Sequence, residues 1–143
     1  MRYIFLLLFP LFVHSDILEM QNLQEREFSQ ERLLYMIKAE KKTIDFKKLR
    51  HISLLRLQKQ VSEAIFYENG VLHLKEIDIK FKRAYFFEGN LYMSECYATF
   101  DGGIIEAKNA LYKKESIEFK DLRMQKGKRI SHKYKYNYKL LKI

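Results

Sequence analysis

The stretch at residues 116–123, SIEFKDLR, decides the fold, and it recurs almost unchanged at residues 43–50 as TIDFKKLR. In the first copy Ile117 and Phe119 stand two residues apart, and a charged pair and Leu122 follow them. Apolar side chains at a spacing of two share one face of a strand. The stretch therefore predicts a half-buried strand that ends in a bend.

The same pattern occurs twice more, once from Leu72 and Leu74 and once from Leu91 and Met93. The four copies begin at positions 44, 72, 91 and 117, at intervals of 28, 19 and 26 residues. Irregular intervals around a constant internal pattern indicate stacked hairpins rather than a strict solenoid. We therefore predict an all-β fold of stacked antiparallel hairpins.

Turn residues separate the two strands expected in three of these units. The segments are residues 68–70 (ENG), 88–90 (EGN) and 113–115 (KKE). Asn-Gly and Gly-Asn pairs supply the positive φ angles of tight hairpin turns, so each segment predicts a reversal of the chain.

Elsewhere the pattern is less decisive. Residues 16–28 fit either a short helix or an extended segment, whereas residues 29–40 alternate well enough to predict a strand. The period changes within residues 50–62, which predicts a bulge or a break between two strands. Residues 132–140 predict a terminal strand with a tyrosine-rich face and a lysine-rich face.

The N-terminus has the pattern of a secretory signal. Arg2 supplies a positive charge, residues 4–13 form an apolar run, and residues 13–15 (VHS) end in a small residue. We expect residues 1–15 to be a signal peptide that is cleaved after Ser15.

An uncleaved membrane anchor that extends to Met20 is the alternative. A spanning helix needs about 20 apolar residues, and Pro10 and Asp16 interrupt this run sooner. In either case residues 16–143 are expected to form one domain in the cell envelope, soluble in the periplasm or tethered to the inner membrane.

Charge and composition restrict the partners. The chain has 27 Lys and Arg against 18 Asp and Glu, a net charge of +9, which favours association with anionic surfaces. Export disfavours nucleic acid and favours phospholipid headgroups or phosphorylated glycolipids. For most individual lysines, solvation of strand faces and protection of sheet edges is a sufficient explanation.

The sequence gives no support for catalysis. The four histidines are scattered, no pair has metal-ligand spacing, and no phosphate-binding glycine loop is present. The single cysteine, Cys96, occupies an inward position without a nearby base, so we expect it to be a small buried hydrophobe. We predict no catalytic residues, no metal and no cofactor.

Eight apolar side chains of the repeats are expected to align on one sheet face. If two sheets close fully, this face is a core, which is the default expectation. If the sheets splay, it lines a groove for acyl chains, each buried methylene contributing about 0.8 kcal/mol. The eight residues are Ile44, Phe46, Leu72, Leu74, Leu91, Met93, Ile117 and Phe119.

The repeats resemble the OstA-like proteins of lipopolysaccharide export, the LptA and LptC family, over residues 34–124. Two copies of an Ala-containing strand, an aromatic, a turn and a closing strand carry the resemblance. They are residues 103–112 (GIIEAKNALY) with Ile117, Phe119, Asp121 and Leu122, and residues 63–67 (EAIFY) with Leu72, Leu74, Glu76 and Ile77.

The resemblance implies an open, twisted β-jelly roll in the periplasm that holds lipid A acyl chains in a V-shaped groove. It also implies passage of lipopolysaccharide from an inner-membrane permease complex to a bridge protein of the same fold, joined edge to edge. The strand near the start (residues 34–39, LYMIKA) is closer to the LptC type. That type usually keeps a transmembrane anchor, and the short apolar N-terminus departs from it.

Three functions follow as hypotheses. The first is a non-enzymatic carrier of lipopolysaccharide. The second is a β-sandwich of the envelope that binds a partner through its C-terminal strand. A nucleic-acid binder is the third, and export argues against it. In the first two, lysines of the C-terminal strand contact phosphate headgroups or a partner edge, namely Lys133, Lys135 and Lys139.

Overall fold

The computed structural model describes residues 2–7, 11–14, 17–29, 32–52, 57–75, 77–100, 103–113, 116–127 and 137–138. These residues form strands, with two short helices between the fourth and fifth strand. In chain order the elements are β1 (Arg2–Leu7), β2 (Leu11–His14), β3 (Ile17–Ser29), β4 (Arg32–Asp45), α1 (Phe46–Arg50), α2 (Gln58–Ala64), β5 (Ile65–His73), β6 (Ile77–Phe87), β7 (Asn90–Phe100), β8 (Gly103–Lys113), β9 (Ser116–Gly127) and β10 (Asn137–Tyr138).

All of these strands belong to one sheet in the order β1-β3-β4-β5-β6-β7-β8-β9-β10, and β2 also pairs with β3. Every pairing is antiparallel, and neighbours in sequence from β3 onward are neighbours in the sheet. Within the described part of the chain, the two margins of the sheet do not pair with each other. The predicted all-β fold, an open sheet of antiparallel hairpins, is confirmed.

The N-terminal strands lie along the outer edge of β3. β1 pairs with residues 24–29 of β3, and β2 pairs with residues 17–20. They occupy the segment that the sequence predicts to be a signal, and its cleavage stays a prediction. Among the described residues, no helix is long and apolar enough to cross a membrane.

In each of the seven strands β3 to β9, the alternation of inward and outward side chains is interrupted once, at the same level of the sheet. Inward side chains elsewhere are mostly two residues apart, but at this level they are three apart, which a regular strand does not allow. Four strands have a non-glycine residue with φ between 48° and 57° at this level: Asn22, Asn69, Glu95 and Asp121. We call this line the crease. The inward pairs that flank it are Met20 and Leu23, Lys42 and Ala39, Tyr67 and Gly70, Ala84 and Phe81, Met93 and Cys96, Ala110 and Ala107, and Phe119 and Leu122.

The outer side of the crease is polar on every strand. Each strand has two consecutive outward residues at the crease. None of them is a large apolar residue, so the interrupted alternation exposes no such side chain. They are Gln21, Asn22, Glu40, Lys41, Glu68, Asn69, Lys82, Arg83, Ser94, Glu95, Lys108, Asn109, Lys120 and Asp121, all of them exposed or half-buried.

The crease folds the sheet into two layers whose inward faces meet. Glu25 pairs in register with Ile37, and Lys42 lies five residues farther along β4, about 17 Å away in a straight strand. Nevertheless, Lys42 Nζ lies 2.5 Å from Glu25 Oε1. The rings of Tyr35 on β4 and Tyr112 on β8 are 5.9 Å apart, although three strands separate them in the sheet. A sheet folded back on itself accounts for both contacts.

Apolar side chains fill the space between the layers. The layer that contains the β6–β7 turn is the first layer, and the layer on the other side of the crease is the second. The first contributes Met20, Tyr67, Leu91, Met93, Ile117 and Phe119, and the second Leu23, Ile37, Leu72, Ile79, Phe81, Cys96 and Ile105, each at most 4% exposed. The expected burial of Cys96 is thereby confirmed.

The two near-identical stretches of the sequence adopt different structures. Residues 43–50 leave the sheet after Asp45, whose carboxylate accepts a hydrogen bond from the Lys48 backbone N–H at 3.0 Å and so caps α1. Glu118 stands at the same place in residues 116–123, and glutamate is not a favoured N-cap. That copy continues as β9. The prediction of a strand through the whole first copy is therefore wrong, since its second half is α1, which Asp45 caps.

Further segments refine the predictions. Residues 17–28 lie in β3, residues 32–40 lie in β4 as predicted, and the turn at residues 88–90 is confirmed, whereas residues 16, 30 and 31 lie outside the described residues. Residues 58–64 form α2. Of the two alternatives predicted for residues 50–62, the described residues show the break between two strands, β4 and β5, and this break contains a helix.

The predicted turn at residues 68–70 is also wrong, because these residues lie inside β5. Asn69 has the positive φ that its type predicts, but it bends the strand at the crease. Pairing with β6 continues on both sides, at Glu68 with Arg83 and at Gly70 with Phe81.

Candidate functional site

Six of the eight side chains predicted to line a groove are buried between the two layers. Leu72, Leu91 and Ile117 are fully buried, and Leu74 is the most exposed of the six at 9%. Met93 and Phe119 complete the set. In this conformation the face is a packed core, and a ligand could enter only if the layers part.

These residues come from both layers rather than from one row. Leu91 and Ile117 each pair with Tyr112, so they share a rung of the first layer as the repeats predict. Leu72 pairs with Ile37 and lies beyond the crease on the second layer. The repeat that begins at residue 72 is therefore displaced by one layer from the others.

The remaining two groove candidates lie outside the core. Ile44 is half-buried and packs against the edge of the core. Phe46 is on α1 and is 41% exposed, so its predicted inward position is wrong. The helix cap at Asp45 turns the chain away from the sheet before Phe46 is reached.

The predicted contacts of the C-terminal strand fall beyond what the structure describes. Lys133, Lys135 and Lys139 lie outside the described residues. The adjoining strand β10 pairs with Ile117 and Glu118 of β9.

A buried polar cluster lies between the layers on β3, β4 and β5. Lys42 Nζ donates to Glu25 Oε1, and the Tyr67 hydroxyl donates to Glu25 Oε2. Lys42 Nζ also lies 4.8 Å from the Tyr67 ring centroid, within cation–π range. Glu25 is only 8% exposed, and both of its carboxylate oxygens accept a hydrogen bond, as a buried charge requires.

Aromatic rings surround this cluster. Phe86 lies 6.0 Å from Tyr35 and 6.1 Å from Tyr67, measured between ring centroids. Burial, and next the Glu25 carboxylate, raises the pKa of Tyr67 well above its usual range. Burial and the hydrogen bond to Glu27 likewise raise the pKa of Tyr35. Both phenols therefore stay protonated and act as hydrogen-bond donors at neutral pH.

Sequence reasoning missed Glu25 and Lys42 as inward residues. On β4, Lys42 breaks the alternation set by Tyr35, Ile37 and Ala39, so strict period two assigns it to the outer face. The three-residue spacing between Ala39 and Lys42 at the crease instead places Lys42 on the inner face. The sequence signal that could have predicted the inward position of Lys42 is the pair of adjacent polar residues that recurs on every strand.

No family model matches the chain, and neither the curated proteins nor the solved structures contain a significant match.

Proposed function

We propose that the protein is a non-enzymatic lipid carrier of the cell envelope. In this proposal it holds the acyl chains of lipopolysaccharide between its layers and passes them along a bridge from the inner to the outer membrane. The observation that supports the proposal is the folded, open sheet, in which all seven long strands contribute apolar side chains to the inward face and Glu25 and Lys42 are charged residues there.

The open margins provide the route of entry. A closed barrel would have to break backbone hydrogen bonds to admit an acyl chain, whereas two layers that are unpaired at their margins can part by flexing at the crease. Each acyl methylene that enters contributes about 0.8 kcal/mol, and this gain offsets the cost of separating the packed side chains of the two layers.

The edge of β9 supports assembly into a bridge. Within the described residues, β10 covers only Ile117 and Glu118 on that edge. Among the described residues, no strand pairs with this edge of β9 beyond Glu118, so a strand of another sheet could add there, and such β-augmentation joins proteins edge to edge. Exposed Lys120, Arg123 and Lys126 on β9 suit an edge that must avoid unspecific pairing.

Site-specific photo-crosslinking tests lipid carriage. The photoreactive phenylalanine analogue p-benzoylphenylalanine replaces Phe119 between the layers, or Phe46 on α1 as the matched exposed control. Lipopolysaccharide should label position 119 strongly and position 46 weakly. Equal labelling at both positions, or labelling at 46 alone, contradicts the proposal.

A second candidate function is partner binding through the Lys- and Tyr-rich C-terminal strand, and the pairing of β10 with β9 favours it because that strand lies at a sheet margin. Deletion of residues 131–143 should then abolish a complex with an envelope partner and leave lipid labelling at position 119 unchanged. Loss of labelling together with the complex would instead support the carrier function.

A further inference from the structure

A cleft of about 550 Å³ lies on the outer face of the first layer, away from the core. Side chains of four strands and of α2 line it, including Gln58, Arg83, Tyr85, Tyr92, Asn109 and Lys120. The volume is within the usual range for small-molecule sites. Its outward side chains are polar or aromatic except for Leu111.

Helix α2 fixes two of the lining groups. Gln58 Nε2 donates to the Tyr85 hydroxyl at 2.7 Å. The Arg83 guanidinium donates to the Ser62 carbonyl oxygen at 3.1 Å and lies 3.9 Å from the Phe66 ring centroid. Arg83 is thereby held at the wall of the cleft with further N–H donors to offer, so little entropy is lost when a ligand binds.

The cleft is cationic. Arg83 and Lys120 line it, and no carboxylate does so among the described residues. Two outward carboxylates nearby are paired with other cations, Glu95 with Arg123 at 2.6 Å and Glu118 with Lys113 at 3.1 Å. Among the described residues neither Arg83 nor Lys120 is part of an ion pair, so both can bind an anion of the ligand.

A pair of stacked aromatic rings adjoins these cations. Tyr85 and Tyr92 stack with ring centroids 5.2 Å apart and an interplanar angle of 4°. Their hydroxyls, the Ser94 hydroxyl and the Asn109 amide offer hydrogen bonds beside an apolar surface. A sugar ring has matching hydroxyls and an apolar face.

We propose that this cleft binds a phosphorylated sugar, with the phosphate at Arg83 and Lys120 and the sugar against Tyr85 and Tyr92. The sugar phosphate could be free or part of a glycolipid headgroup, and the chemistry is the same for both. The site lies on the opposite side of the sheet from the core, so it does not depend on lipid carriage.

Isothermal titration of the full chain with glucose 1-phosphate tests the site, with glucose and inorganic phosphate as separate ligands. Glucose 1-phosphate should bind more tightly than either fragment. Lys120→Gln should weaken binding about tenfold, the effect of one charge-assisted hydrogen bond. Lys126→Gln, the same change at an exposed position of the same strand, should leave binding unchanged. Circular dichroism confirms that both variants are folded.

The proposal is overturned if glucose 1-phosphate does not bind at millimolar concentration. It is also overturned if the two lysine variants lose equal affinity, or if inorganic phosphate binds as tightly as glucose 1-phosphate. Competition separates the two sources. If lipopolysaccharide displaces glucose 1-phosphate from the wild type, the ligand is a glycolipid headgroup; if it does not, the ligand is a free sugar phosphate. Lys120→Gln should leave lipid labelling at position 119 intact, so each proposal can fail without the other.

Discussion

The Lys42 ammonium lies 2.5 Å from the Glu25 carboxylate and joins the two layers of the sheet from within. The two side chains are only 15% and 10% exposed, and Tyr67 donates to the second carboxylate oxygen. Removing one partner of such a pair leaves an unpaired buried charge, which is strongly destabilising. The contact therefore makes stability sensitive to the relative position of the layers.

We expect Glu25→Gln and Lys42→Met each to lower the free energy of unfolding by about 3 kcal/mol. The double variant should lose less than the sum of the two, because it leaves no unpaired charge. Urea unfolding of all four proteins measures this. Strict additivity would show that the two groups do not interact in solution.

Alkaline pH should destabilise the fold through Tyr35 and Tyr67. The pKa of each is raised in the folded protein, chiefly by burial, whereas unfolded tyrosines ionise near pH 10. Above about pH 10 the unfolded chain binds fewer protons, so stability falls as pH rises, by up to about 1.4 kcal/mol per pH unit for each phenol. Urea unfolding from about pH 9 to 11 should show a shallower decline for Tyr67→Phe. If the stability of Tyr67→Phe declines as steeply with pH as that of the wild type, the assignment of this pH dependence to Tyr67 is wrong.

The crease requires positive φ at Asp121, which has φ 57°. Glycine adopts this conformation without strain, so Asp121→Gly should raise the free energy of unfolding by up to about 1 kcal/mol. Asp121→Val should lower it, because a β-branched residue is poorly tolerated there. The matched control is Lys120→Gly at the preceding exposed position, where glycine should destabilise the strand. Thermal unfolding compares the three, and equal effects of both glycine variants would argue against a strained crease.

Gly70 is required by close approach of its neighbours. A Cβ atom at this position would lie 2.5 Å from Phe81 Cζ and 2.6 Å from the Lys38 carbonyl oxygen. Phe81 could shift, but the backbone carbonyl could not, so Gly70→Ala should destabilise the protein by about 1 to 3 kcal/mol. Adding Phe81→Leu should not restore stability. Chemical unfolding of the single and double variants measures both effects. If Gly70→Ala leaves the free energy of unfolding unchanged, the strands around Gly70 lie farther apart in solution.

Cys96 should be inert while the protein is folded. Burial, with a smaller contribution from the Glu95 carboxylate, raises the pKa of its thiol to about 12. Because the thiolate is the reactive species, an aromatic disulfide reagent at pH 8 should not modify the native protein and should react fully in denaturant. Rapid native labelling would show that the layers open often enough to expose the core.

Local alternation was enough to predict the class of fold. Ile117 and Phe119, or Leu91 and Met93, repeat at a spacing of two, which determines that they share a face, whatever lies opposite. Their burial, that of Cys96 and the turn near Gly89 follow from residue type and immediate neighbours.

Only the tertiary structure decided which faces meet. Glu25 and Lys42 read as surface charges in the sequence, because alternation describes a straight strand and not the bend that brings residues 17 apart into contact. Phe46 lies on α1, which Asp45 caps, although its stretch of sequence matches the one around Phe119. Periodicity specifies the face of a strand, whereas the angle at the crease depends on all seven strands bending together.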